Sequence, residues 1–163
     1  MAEPQVSETI IRGIVVGVFA ENCWIIGNRR TGEAICIDPG DQPDDVLALA
    51  RDMGVAIKAI ANSHAHVDHI LGVRGVQSAS GAKFHLHRGD LPVAAQAARS
   101  ALMFTGREVE PPPDPDFFPQ EGDEISHFGR RHAACRARTV ASISARSSSV
   151  WAIAMWSSRS STE

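Results

Sequence analysis

The octapeptide SHAHVDHI, Ser63 to Ile70, sets His64, His66, Asp68 and His69 within six positions, directly behind the apolar run VAIKAIAN. That run is short and mostly apolar, which reads as a β-strand over 55–62. Four potential donor side chains in the positions that follow are hard to explain by core packing. The pattern therefore places them at the C-terminal end of a strand, where ligands gather in sheets with helical connections.

The flanking sequence supplies such a sheet. ETIIRGIVVGVFA is a β-branched run read as a strand, and NCWIIGNRRTGEAICID reads as two strands, 23–27 and 34–38, joined by a turn through Asn28 to Gly32. PGDQPDDVLALARDMG predicts a helix: Pro43 suits a first turn, Asp44 and Asp45 complement the dipole, and Val46, Leu47, Leu49, Ala50 and Met53 form an apolar stripe closed by Gly54. Beyond the histidine motif, 70–81 reads as a helix ended by Gly81, 82–87 as a strand and 90–104 as an alanine-rich helix. TGREVEPPPDPDFFPQEGD is too rich in proline and acid for regular structure and reads as a surface loop before a short strand at Glu124 to Phe128. The alternation of strands and helices specifies an α/β fold. No internal repeat is visible, and 163 residues fit one domain.

Imidazole and carboxylate donors are the ligand types that zinc and iron accept from proteins. Residues two apart in an extended segment point the same way, so His64 and His66 can share one ion. Asp68 and His69, as the chain turns into a helix, are offered to a second. One pair per ion is too few for tight binding, and further donors must come from later in the chain. His85 and His87 have the same spacing on a predicted strand, but strand-end packing is the better account of them. Cys23, Cys36 and Cys135 form no CxxC pair, and each reads as a small buried hydrophobe. Asn22 and Cys23 lie at a loop-to-strand corner and suit a turn.

HAHVDH behind an apolar strand resembles the HxHxDH signature of the metallo-β-lactamase-fold hydrolases. ENCWIIG, AICIDPG, GAKFHLH and EGDEI extend the likeness over about residues 10–128 and resemble the glyoxalase II (hydroxyacylglutathione hydrolase)-like branch. The resemblance implies an α/β/β/α sandwich with a metal site on its upper edge. His64 and His66 would bind the first metal, Asp68 and His69 the second. The implied cofactor is zinc, two ions per site, with iron or manganese as alternatives. The implied reaction is hydrolysis of an acyl thioester by a metal-bound hydroxide, with a thiolate leaving and Asp68 also serving catalysis by orienting the nucleophile. Asp38 becomes a support beneath the ligand loop, a role of equal weight with that of a strand-end turn acid beside Pro39 and Gly40. Ser63 stands where family members typically carry threonine, and either hydroxyl can support the loop.

The family's later ligands, a Pro-Gly-His turn, a Gly-Asp strand end and a final histidine, have no counterpart in this sequence: no Asp follows Asp123, and His127 and His132 lack the Pro-Gly context. The composition also changes near Gly129. Residues 1–128 carry 18 Asp+Glu against ten Lys+Arg, whereas 129–163 carry one Glu against six Arg, with nine serines and no Pro or Asp. Residues 1–128 thus read as the N-terminal part of the domain, intact, with the second half incomplete. The Arg/Ser/Ala-rich segment 129–163 reads as out-of-frame translation of a GC-rich gene, ahead of a disordered basic arm or an edge strand at SVWAIAMW.

The favoured function is a metal-dependent thioester hydrolase whose substrate is a small molecule, in the glyoxalase II manner a glutathione-linked acyl thioester. The alternative from another class is a non-catalytic truncated relic that binds metal weakly or not at all; persulfide dioxygenase-like or lactonase activity are further alternatives. Trp151 and Trp156 build no stacking platform, and no organised basic face points to nucleic acid. With no run of about 18 apolar residues and no secretory-type N-terminus, neither a membrane nor an export route is expected, and the default location is cytoplasmic. The sequence leaves the oligomeric state open.

Overall fold

Three strands, β1 (Thr9–Val16), β2 (Glu21–Asn28) and β3 (Glu33–Ile37), open the chain as the expected antiparallel meander. These and the elements below come from a computed structural model describing residues 8–120 and Asp123. The β2–β3 turn forms because the Asn28 side chain accepts the backbone amides of Arg30 (2.8 Å) and Thr31 (3.1 Å), an Asx turn. β1 stops at Val16, earlier than the apolar run suggests, because the chain turns at Gly17, whose amide donates to Gln42 Oε1 at 2.8 Å.

α1 (Pro43–Asp52) then crosses over the sheet to β4 (Ala56–Ala61), which pairs parallel to β3; α2 (Val67–Ile70) and α3 (Val73–Ser80) cross to β5 (Lys83–His85), parallel to β4. The sheet order is β1-β2-β3-β4-β5. α4 (Leu91–Ala94) and α5 (Ala97–Thr105) follow a 3₁₀ turn at Arg88–Asp90. A register shift opposite Ala34 and Ile35 leaves Lys58 unpaired. This bulge puts Ile57 and Ile60 on the helix-covered face, with Cys23, Ile25, Ala34, Cys36, Val46, Val73, Val76 and Phe84, while Ala59 and Ala61 join Ile35 on the other. Cys23 and Cys36 are free, fully buried thiols 3.6 Å apart, as expected for small core hydrophobes.

Asn22 and Cys23, expected at a turn, instead lie within β2 opposite Val15 and Ile14, and three further elements differ from expectation. The helix expected over 70–81 begins three residues earlier and breaks at Leu71–Gly72. The break is imposed from outside: the Gly72 amide donates to the Pro39 carbonyl at 2.8 Å, pinning this junction to the turn after β3. β5 spans three residues rather than six, because Leu86 directs its amide to Phe117 O (3.1 Å). The helix over 90–104 is split at Ala95–Gln96, for which the neighbouring side chains give no reason.

The proline-rich stretch is irregular, as its composition requires, but anchored. Arg74 Nε donates to Pro111 O at 2.8 Å, and the Asp116 carboxylate accepts from Lys83 (2.8 Å), Gln77 (3.0 Å) and the Phe84 amide (2.9 Å). His85 stacks on Phe117, centroids 4.8 Å apart, and His87 accepts the Gly89 amide at Nδ1. The expected strand at 124–128, Cys135, the two late tryptophans and the segment 129–163 lie outside the described residues, which form a single five-stranded sheet and so only part of the expected sandwich.

Candidate metal centre

Past Ala61 the chain leaves the sheet as a loop, and buried side chains shape it before any ligand is presented. Asn62 Nδ2 donates to the carbonyls of His69 (2.7 Å) and His64 (3.4 Å), closing the loop on itself. The Ser63 amide donates to Asp38 Oδ1 at 2.7 Å, tying the loop to the end of β3. The Ser63 hydroxyl lies 2.8 Å from His64 Nδ1, so the second ring nitrogen, Nε2, is left to face outward.

His64 Nε2 lies 3.0 Å from His66 Nδ1. The two nitrogens converge as same-side residues of an extended segment should, and the gap is near the roughly 3.3 Å that two bonds of about 2.0–2.1 Å subtend at a tetrahedral ion. His66 is the residue before α2, and Asp68 and His69 occupy that helix. The His69 ring is tilted against that of His64, centroids 4.1 Å apart, and its Nε2 lies 3.5 Å from Asp68 Oδ2. All four predicted residues therefore meet on one sheet edge.

Beneath them lie two acids. Asp38 Oδ2 is 3.2 Å and Glu21 Oε1 3.6 Å from His69 Nδ1, with side chains only 5% and 8% exposed. The position of Asp38 answers the choice left open for it: it supports the loop. Glu21 had no signal in the sequence, where it precedes the strand expected over 23–27; the structure makes it the first residue of β2. With His69 these acids form a compact donor group, its atoms within 4.8 Å of one another. Asp90 is also fully buried close to this loop, and burial pushes its carboxyl upward against the pull of the Ala65 amide, His87 and His66.

The electrostatics follow from burial. Glu21 is raised to about 7, chiefly by desolvation, which the His69 charge offsets only in part. His64 is lowered to about 4, by burial and then by repulsion from His69. Burial also pulls His69 down, but Asp38 and the other nearby carboxylates outweigh it and hold the imidazole above its usual range. An acid whose pKa is higher folded than unfolded contributes stability below its ordinary 4.5, and that contribution is lost as pH rises through about 7. Thermal unfolding of the chelator-treated chain should therefore show Glu21→Gln gaining on the parent between pH 4.5 and 7. A difference independent of pH would contradict the buried-acid account.

The model of the metallo-beta-lactamase superfamily matches residues 16–148. The chain belongs to that superfamily. An uncharacterized protein of Aquifex aeolicus is 32% identical over 116 residues, covering 71% of this chain and 54% of the relative. The hydroxyacylglutathione hydrolase of Anaeromyxobacter dehalogenans is 46% identical over 59 residues, 36% of this chain and 23% of that protein. Among solved structures, TTHA1623 in a di-iron-bound form superposes with a TM-score of 0.62 at 30% identity, over 74% of this chain and 59% of that one. The chain thus spans about half the length of the curated relatives it matches over most of its own length. The superfamily match reaches twenty residues past Phe128, into the segment that composition sets apart. The superfamily is one of metal-dependent hydrolases, and no described helix is long and apolar enough to cross a membrane.

Proposed function

We propose that this chain carries the ligand loop of a metal-dependent hydrolase acting on small acyl thioesters, of the glyoxalase II type and glutathione-linked. The observation that carries the metal part is the convergence of His64 Nε2 and His66 Nδ1 at 3.0 Å, beside Asp68 and His69 on one edge. The similarity to hydroxyacylglutathione hydrolases, over 59 to 75 residues, supports the thioester part. A nitrogen and carboxylate donor set suits zinc, and the di-iron state of TTHA1623 supports iron as the alternative.

His64 and His66 would hold one ion, Asp68 and His69 a second. A bound ion supplies Lewis acidity, polarising the thioester carbonyl and making water acidic enough to act as a nucleophile near neutral pH. Asp68 keeps a side chain 31% exposed, enough to accept a hydrogen bond from the attacking water and orient it. Ser63 holds His64 Nδ1 and Asp38 holds the loop, which fixes the His64 ring with Nε2 toward His66. The reactants reach this edge from cytoplasmic solution.

The sequence lacks the family's later ligand motifs, which favours as second reading a non-catalytic relic that binds metal weakly or not at all. Metal content per purified chain, measured with hydrolysis of a glutathione thioester, separates the two. About two ions with turnover supports the hydrolase; little metal and no turnover supports the relic and sinks the hydrolase for this polypeptide.

A further inference from the structure

We propose that Glu21, Asp38 and the Nδ1 atom of His69 form a divalent-cation site of their own, on the inner side of the ligand loop. This site goes beyond the proposed function, since it uses none of His64, His66 and Asp68. Its donors come from the first residue of β2, the residue after β3 and α2, and their atoms lie within 4.8 Å of one another. Asp38 Oδ2 is 3.2 Å and Glu21 Oε1 3.6 Å from His69 Nδ1. Two bonds of about 2.1 Å to one ion span roughly 3.4 Å at a tetrahedral angle and a little more as the angle opens, so both separations suit a shared ion.

The same distances do not make hydrogen bonds. Nδ1 is buried without a hydrogen-bond partner although Asp38 Oδ2 stands close enough, which puts that oxygen off the line of the ring N–H, and Glu21 Oε2 is likewise buried without one. The two acid side chains are only 8% and 5% exposed, and Asp38 has just Oδ2 to offer, its Oδ1 accepting the Ser63 amide. Carboxylates crowded into so dry a place are costly unless paired or bound to a metal. The one imidazole beside them faces both and bonds neither, which is the arrangement an ion between them requires. A doubly charged cation would cancel both acids and satisfy the orphaned atoms together. Two carboxylates and one imidazole suit zinc, manganese or iron rather than a soft ion. A neutral imidazole offers one lone pair, so His69 serves this inner ion or the one offered with Asp68 at Nε2, and the buried acids favour the inner one.

The test titrates zinc into the metal-stripped full chain against a chromophoric chelator. His64→Ala together with His66→Ala removes the outer pair and should leave one ion per chain bound. In that background Glu21→Gln should weaken the ion more than about tenfold, because even a residue that only touches a ligand is worth roughly 10–100-fold, whereas Asp68→Asn should leave its affinity unchanged. X-ray absorption at the zinc edge of the double variant should count one imidazole per ion. Cooperative thermal unfolding of metal-free E21Q, as in the parent, shows that lost affinity is not lost fold. No ion in the double variant of a parent that binds zinc overturns the inner site and leaves the His64 and His66 pair standing. Loss of the ion in D68N but not in E21Q also overturns it, since the ion then sits at Nε2. An ion kept by the double variant, with no thioester turnover by the parent, upholds the inner site and refutes the hydrolase reading alone; a parent that binds no zinc overturns both.

Discussion

Gly40→Ala is expected to cost at least about 3 kcal/mol of stability, in the range reserved for forced backbone movement in a tight site. A Cβ placed on Gly40 would sit 1.7 Å from the Asp68 carbonyl oxygen and 2.8 Å from its carbon. Both atoms are backbone, so no rotamer change relieves the clash; α2 must lift from the turn that follows β3. One step along, a side chain at Gly72 would meet the Pro39 carbonyl at 2.5 Å, so the same two segments are pressed together at a second point and cannot pivot freely. Lifting α2 carries Asp68 and His69 with it, so metal binding should fall along with the urea midpoint. Gly81→Ala is the control. It has open space around it but a φ of +69°, and its cost should be only about 1–2 kcal/mol. A G40A chain with the parent's urea midpoint and zinc affinity would show that the contact between Pro39–Gly40 and α2 does not hold the loop.

That contact also marks where the sequence stops being readable. The meander and α1 are legible because their causes are local: Asn28 folds its own turn, and Pro43, Asp44 and the apolar stripe lie within one helix. The break between α2 and α3 is not, since Gly72 looks like a tolerated helical glycine until the distant Pro39 carbonyl is brought to its amide. The length of β5 is likewise decided by Phe117, in a loop with no periodicity of its own. The site divides the same way. His64, His66, Asp68 and His69 announce themselves by spacing, whereas Asp38 is ambiguous and Glu21 silent, because each gains its meaning only when the start of β2 and the end of β3 come together beneath the loop.

Asp38→Ala should be nearly as damaging as G40A, for a different reason. Asp38 has φ +48°, which aspartate and asparagine tolerate better than alanine, at a difference of about 1 kcal/mol. Its Oδ1 accepts the buried Ser63 amide at 2.7 Å, a charged hydrogen bond worth about 1.5–3 kcal/mol. D38A loses both and should cost roughly 2.5–4 kcal/mol in urea unfolding. Asp38→Asn keeps the tolerant backbone and an acceptor for Ser63 but removes the charge facing His69. Because Asp38 helps raise the folded pKa of His69, the stability it contributes through that ring is fully present below the ordinary histidine value of 6.5 and is lost as pH rises through the folded value. The deficit of D38N relative to the parent, both stripped of metal, should therefore be largest in mildly acid solution and shrink toward alkaline pH. A deficit that is constant with pH would mean that Asp38 acts on the loop through Ser63 alone and not through the charge it turns toward His69.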